Sequence, residues 1–134
     1  MTSTFTPEEL AYLNGQFLGR LATVDANGVP QNNPVGFVVR DDGSIDIGGH
    51  QMGRSRKFRN VRANGHAALV VDDLVSTNPW TVRGVEIRGK AEALDDVDPP
   101  MAGMSRVIIR ITPTWIAGWG LVEGAPMGIK GRRP

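Results

Sequence analysis

Arg20-Leu21-Ala22-Thr23-Val24-Asp25-Ala26-Asn27-Gly28-Val29 decides the architecture of this chain. A strand pattern from Arg20 to Val24 runs into Asp25-Ala26-Asn27-Gly28, where glycine suits the left-handed position of a tight turn. The chain then returns from Val29 to Arg40, bent at Pro30 and Pro34. Asp41-Asp42-Gly43 turns it again, into Ser44-Ile45-Asp46-Ile47, which alternates polar and apolar residues. The spacing predicts three antiparallel strands in a meander.

Upstream, Thr6-Pro7-Glu8-Glu9 carries a helix start: Thr6 as cap, Pro7 at the first helical position and Glu9 closing a capping box. Leu10, Leu13 and Phe17 repeat at helical spacing, which predicts a helical segment within residues 1–18 packed over one end of the fold. Downstream, Ala67 to Val71 is wholly apolar and reads as a strand buried on both sides. Asp72 to Thr81, with Thr77-Asn78-Pro79-Trp80, reads as a loop. Val82 to Leu94 alternates, with Val85 and Ile87 on one face. Asp95 to Gly103 is acidic, contains two prolines and is left irregular. Arg106 to Ile111 and Trp115 to Val122 read as two closing strands divided at Pro113. The last stretch, residues 123–134, reads as a tail that stays mobile until something binds it. Many short strands, two helices and no βαβ rhythm predict a mainly β, antiparallel barrel formed as a single domain over residues 1–134.

Composition narrows the function. At 134 residues the chain builds one core but is short for a two-domain enzyme, so a site needing more walls recruits a second copy. Cysteine is absent, which excludes disulfides and thiolate chemistry, and His50 and His66 alone make no zinc set. Neither a signal-peptide pattern nor a membrane-spanning apolar run is visible, so the expectation is a soluble cytoplasmic protein.

Charge is concentrated in one place. Five of the nine residues from Arg54 to Arg62 are cationic; the chain has 15 Lys and Arg against 14 Asp and Glu, so the remainder stands at 10 against 14. Gly48, Gly49 and Gly53 lead into this stretch, Ser55 can cap a helix, and Gly65 suits its left-handed stop. At helical spacing Phe58 and Val61 share one flank, while Arg56, Arg59 and Asn60 point the other way. A helix start with free N–H groups beside Arg54, Arg56 and Lys57 suits a phosphate. Gly48 to Ser55 stands one residue from a nucleotide P-loop, but Arg54 replaces the required Lys and no βαβ unit surrounds it. A net charge of +1, a pI near 8.2 and few aromatics beside the cluster weigh against nucleic acid.

Several fragments in order resemble one family: Leu21-Ala22-Thr23-Val24, Gly28-Val29-Pro30, Pro34-Val35-Gly36-Phe37, Ile47-Gly48-Gly49-His50, Arg56-Lys57-Phe58-Arg59-Asn60-Val61-Arg62, Asn78-Pro79-Trp80 and Arg83-Gly84-Val85-Glu86-Ile87-Arg88-Gly89, then Ser105 to Leu121. They are similar to the split β-barrel flavin and deazaflavin reductases related to pyridoxamine-phosphate oxidase, and most to the branch that includes an oxytetracycline-pathway reductase. The resemblance implies a homodimer with two cofactors at the subunit interface and a small-molecule substrate, with no nucleic acid and no membrane. It places the cofactor phosphate on Arg54, Ser55, Arg56 and Lys57 with Asn60 beside them, and the ring along Gln31, Asn33, Pro34, Val35 and Gly36, flanked by Gly49 and His50. Trp80 then reaches across from the other subunit. Coenzyme F420, with a tail of several carboxylates, suits five cations plus Arg132 and Arg133 in a free tail better than FMN, which ends at one phosphate. The implied activity is hydride transfer from reduced F420 to an electron-poor double bond or conjugated carbonyl. FMN is the alternative cofactor, and a carrier that binds F420 without turnover the alternative function. No catalytic side chain is assigned.

Overall fold

The computed structural model describes residues 4–100, 102–124 and 129–134. Thr6 starts helix α1 (Pro7–Asn14) as its sequence dictates: its hydroxyl accepts the Glu9 N–H at 3.1 Å, and the Glu9 carboxylate accepts the Thr6 N–H at 2.9 Å. The helix buries Glu9, Tyr12 and Leu13. Phe17 lies beyond its end and is 86% exposed, and Leu10 is also exposed, so of the three residues expected to dock the helix only Leu13 does. The helix ends at Gly15, before the third apolar position is reached.

Strands β1 (Leu18–Val24), β2 (Pro30–Val39) and β3 (Ile45–Gly48) form the expected meander, with Gly28 at φ +82° and Gly43 at φ +87° in the turns. Strand β4 (His66–Thr77) pairs with β1 on one side and with β5 (Trp80–Leu94) on the other. Only Ala67, Leu69 and Val71 of β4 are fully buried; Ala68 and Val70 are half-exposed on the outer face, so this strand is buried on one side, not two. The loop expected from Asp72 to Thr81 is a continuation of the β4–β5 hairpin, which pairs as far as Thr77 and Trp80.

Strand β6 (Ile108–Trp119) closes the ring and also opens it. Its residues Ile109–Ile111 pair with β3, and Ile116–Gly118 pair with β7 (Lys130–Arg132), while its other edge follows β5 throughout. The result is a mainly β, antiparallel split barrel in the order β3-β2-β1-β4-β5-β6-β7 with a β3–β6 closure. Pro113 was expected to divide two strands. Instead one strand runs through it, because the missing N–H falls between the two partners and a register shift opposite Arg88 and Gly89 absorbs the irregularity. Leu21, Ile45, Ile47, Leu69, Ile87, Ile109, Ile111 and Ile116 fill the barrel, capped by Phe58 and Val61 from helix α2 (Arg56–Asn64).

The tail corrects the sequence reading. Of the stretch read as mobile, residues 125–128 lie outside the described residues, but Lys130–Arg132 form β7. A Cβ on Gly131 would overlap the Trp115 indole, so glycine is what lets this strand lie against the ring. Arg132 gives its guanidinium to Glu9, at 2.6 Å and 2.8 Å, and to the Thr4 carbonyl at 3.1 Å. Burial pushes the Glu9 carboxyl up, but these hydrogen bonds and the capping box outweigh it and hold it below its ordinary value. Arg132 is therefore spoken for and is no free partner for a ligand.

Candidate functional site

A cleft of about 400 Å³ lies where β2, the β3–α2 connection and α2 meet. Pro34, Val35 and Gly36 of β2 form its floor, Gly48 to Met52 its turn, and Lys57 its basic corner, with Met104 from the β5–β6 connection on the remaining side. The turn is built by local rules. Ser55 caps α2, its hydroxyl accepting the Phe58 N–H at 3.2 Å and donating to the Met52 carbonyl at 2.6 Å. Gly65 ends the helix at φ +72°, as the sequence predicts. Immediately before Ser55, Met52–Arg54 form a short 3-10 turn rather than open loop, and Met52 is buried.

Six residues named from the sequence line the cleft together: Pro34, Val35, Gly36, Gly49, His50 and Lys57. Ser55 and Arg54 stand on the same turn, and Arg59 donates to the Arg54 carbonyl at 3.3 Å. Arg54 and Arg56 are exposed beside the cleft, not in its lining. Asn60 differs from its sequence reading. It is buried and donates to Thr23 Oγ1 at 3.1 Å, so the helix turns it toward the barrel while Arg56 and Arg59 face solvent. Trp80 sits at the far tip of the β4–β5 hairpin, 72% exposed and outside the cleft lining of its own chain. Gly48, Gln51, Met52 and Met104 were missed. Gly48 was recoverable, because it precedes Gly49 in the same turn; Met104 was not, because it arrives from more than fifty residues away.

The electrostatics separate this site from the rest of the molecule. Among the described residues Arg20, Arg40, Arg83, Arg88, Arg106, Arg110 and Arg132 each pair with a carboxylate. Among the described residues none of the five cations from Arg54 to Arg62 has such a pair, a lack shared only by the dispersed Lys90, Lys130 and Arg133, and α2 has no acidic residue in its first turn. An uncompensated positive helix start beside a cleft is an anion site in waiting.

Next to it, Gln31 Oε1 and Asn33 Oδ1 are buried and hydrogen-bond to nothing among the described residues. Both belong to β2, three and one residues before the cleft floor at Pro34, and neither is in the cleft lining itself. Orphaned acceptors in a buried position are costly, so a ligand that brings an N–H donor, such as the imide of a flavin-type ring, fits them. Lys57 and the capped helix start fit its phosphate. The donor and acceptor set therefore suits an anionic ring cofactor.

The chain is similar to several known proteins. Residues 5–120 match the family model described as pyridoxamine 5'-phosphate oxidase. The chain is 44% identical over 135 aligned positions to the 5a,11a-dehydrotetracycline/5a,11a-dehydrooxytetracycline reductase of Streptomyces rimosus, covering 96% of this chain and 92% of that one. Among solved structures it superposes on a conserved hypothetical protein of Mycobacterium tuberculosis with a TM-score of 0.69 and 21% identity, over 92% of each chain. An FAD-binding protein of Mesorhizobium loti gives a TM-score of 0.64 and 20% identity, over 87% of this chain and 95% of that one.

Proposed function

Because this chain belongs to the pyridoxamine 5'-phosphate oxidase family, we propose that it is a reductase that uses coenzyme F420 to saturate a conjugated carbon–carbon double bond in a small organic substrate. The observation that carries the proposal is the set of five cations without a carboxylate partner among the described residues, Arg54, Arg56, Lys57, Arg59 and Arg62, of which Lys57 lines the cleft, together with two orphaned buried acceptors on the strand that forms its floor. The 44% identity to a reductase of dehydrotetracyclines supports a substrate of that kind, a conjugated polycycle.

When bound, the reduced cofactor supplies a hydride; a proton joins the neighbouring carbon and the cofactor is left oxidised by two electrons. This chain's residues do the rest. Lys57 and the free N–H groups of α2 hold the phosphate, with Ser55 capping the helix that presents them, and Arg54 and Arg56 offer charge to further carboxylates. Gln31 and Asn33 accept from the ring edge, while Pro34, Val35 and Gly36 hold its plane and exclude water. His50, exposed at the cleft, is one source for the proton, beside solvent and the cofactor's own ring hydroxyl. A deazaflavin suits five cations better than FMN because it carries more negative groups than one phosphate.

A second copy completes the site in this reading. Phe17 and Leu18, at the start of β1, are 86% and 60% exposed, and Leu18 pairs with Gly36 of the cleft floor, so apolar surface continues outward from the cleft. A homodimer covers it, and the Trp80 hairpin tip of the partner reaches the cofactor. Steady-state assay of 5a,11a-dehydrotetracycline with reduced F420 and, separately, reduced FMN tests the proposal. Turnover with F420 is expected. Turnover with FMN alone transfers the reading to FMN, and tight binding without turnover of any enone makes the protein a carrier.

A further inference from the structure

The cleft has two unlike sides. On the α2 side Lys57 lines it, with Arg54 and Arg56 exposed on the same turn and helix; on the other lies the β5–β6 connection, which carries Asp95, Asp96 and Asp98 against one cation, Arg106, up to that residue. Arg106 is held by Asp96 at 3.0 Å and Asp98 at 3.3 Å, which leaves this connection net negative with no free cation. An anionic cofactor is drawn to α2 and repelled from the connection.

Yet the connection contributes to the cleft, through Met104. Its position is fixed by glycine. The Ser105 N–H donates to the Gly49 carbonyl at 3.2 Å, and a Cβ on Gly48 would stand 3.0 Å from Met104 Sδ and 2.9 Å from Pro100 Cγ. Only a residue without a side chain at position 48 lets the thioether and the proline ring settle there. The wall that results is apolar, half-buried and, in methionine, adaptable in shape.

We infer that Met104, seated on Gly48, is a specificity-determining residue of the organic substrate: it packs against a flat, apolar polycycle on the side of the cleft that the cofactor's charge avoids. This rests on the reductase reading above. It separates the two ligands by element, cofactor to α2 and substrate to the β5–β6 connection.

The test compares Met104→Ala and Met104→Trp with the unaltered protein, using 5a,11a-dehydrotetracycline and the small enone 2-cyclohexen-1-one, both with reduced F420. Both substitutions are expected to raise the KM of the tetracycle by about tenfold, the usual scale for lost or obstructed apolar contacts, and to leave the small enone within about threefold. The Kd of the tetracycle for protein loaded with oxidised F420 should rise in step, while the Kd of F420 itself stays within about twofold. Equal effects on both substrates, or a parallel loss of F420 affinity, overturn the assignment and leave the reductase reading standing. If the unaltered protein binds F420 but reduces neither compound, the reductase reading fails and the assignment fails with it.

Discussion

Asp46 and Lys57 lie on either side of the same glycine turn, and charge behaves oppositely at the two. Asp46, on β3, is buried between Arg110, at 2.7 Å and 3.0 Å, and Arg40, at 3.2 Å. Among the described residues Lys57 and its four cationic neighbours have no such partner. Elsewhere the pattern follows Asp46: Asp73 accepts from Arg83 at 2.7 Å and from the Tyr12 hydroxyl at 2.7 Å, which ties α1 to the β4–β5 hairpin. Burial, and then the Asp73 carboxylate, push the Tyr12 phenol well above its ordinary value, so it stays protonated and structural. The lesson is that this chain spends its carboxylates on holding strands and termini together and withholds them from one helix. Among the described residues Lys90, Lys130 and Arg133 also lack a carboxylate partner, but they are scattered, whereas the five on and beside α2 are clustered next to a cleft.

The largest effect expected from this contrast is on stability. Asp46→Ala leaves Arg110 and Arg40 facing each other without a counter-ion and should cost about 3 kcal/mol in urea unfolding. Next comes the opposite case, Lys57→Ala, which should weaken cofactor binding by roughly 1.5–3 kcal/mol with little change in the unfolding midpoint. Asn60→Ala sharpens the boundary within α2 itself. It strips Thr23 of its buried partner and should cost about 1–2 kcal/mol of stability, with cofactor affinity nearly unchanged if the amide serves the barrel and not the ligand.

The smallest effect is a pH slope. The Glu9 carboxyl is held below its ordinary value of 4.5 in the folded chain, so its contribution is complete above that value and is lost as pH falls through the lower, folded value. Glu9→Gln should therefore be less stable at pH 7 but show a shallower loss of Tm below pH 4.5 than the unaltered chain. Parallel acid slopes would remove Glu9 and Arg132 from the account of how the tail is fastened.

What could be read from sequence alone follows the range of the interactions. The Thr6 and Ser55 caps, the Gly28 and Gly65 turns and the meander were legible because each is decided within about five residues. The flanking cleft residues at Pro34 to Gly36 and at Gly49 and His50 were legible through family resemblance. Contacts made across the chain were not. The Asp46–Arg110 pair spans 64 residues and the Arg132–Glu9 pair 123, and no local pattern announces either. Asn60 illustrates the limit at short range: helical spacing put it near the arginines, but a position at the border of the two faces is settled by what lies beneath, here the Thr23 hydroxyl.

The central claim is that the unpaired cations of α2 grip a multiply anionic ring cofactor at the cleft. Fluorescence titration of the protein with oxidised F420, at low and at high ionic strength, tests it most directly. The account predicts saturable micromolar binding that weakens as salt rises and is lost in large part in Lys57→Ala. Binding that ignores both salt and Lys57, or no binding of F420 at all, would contradict it.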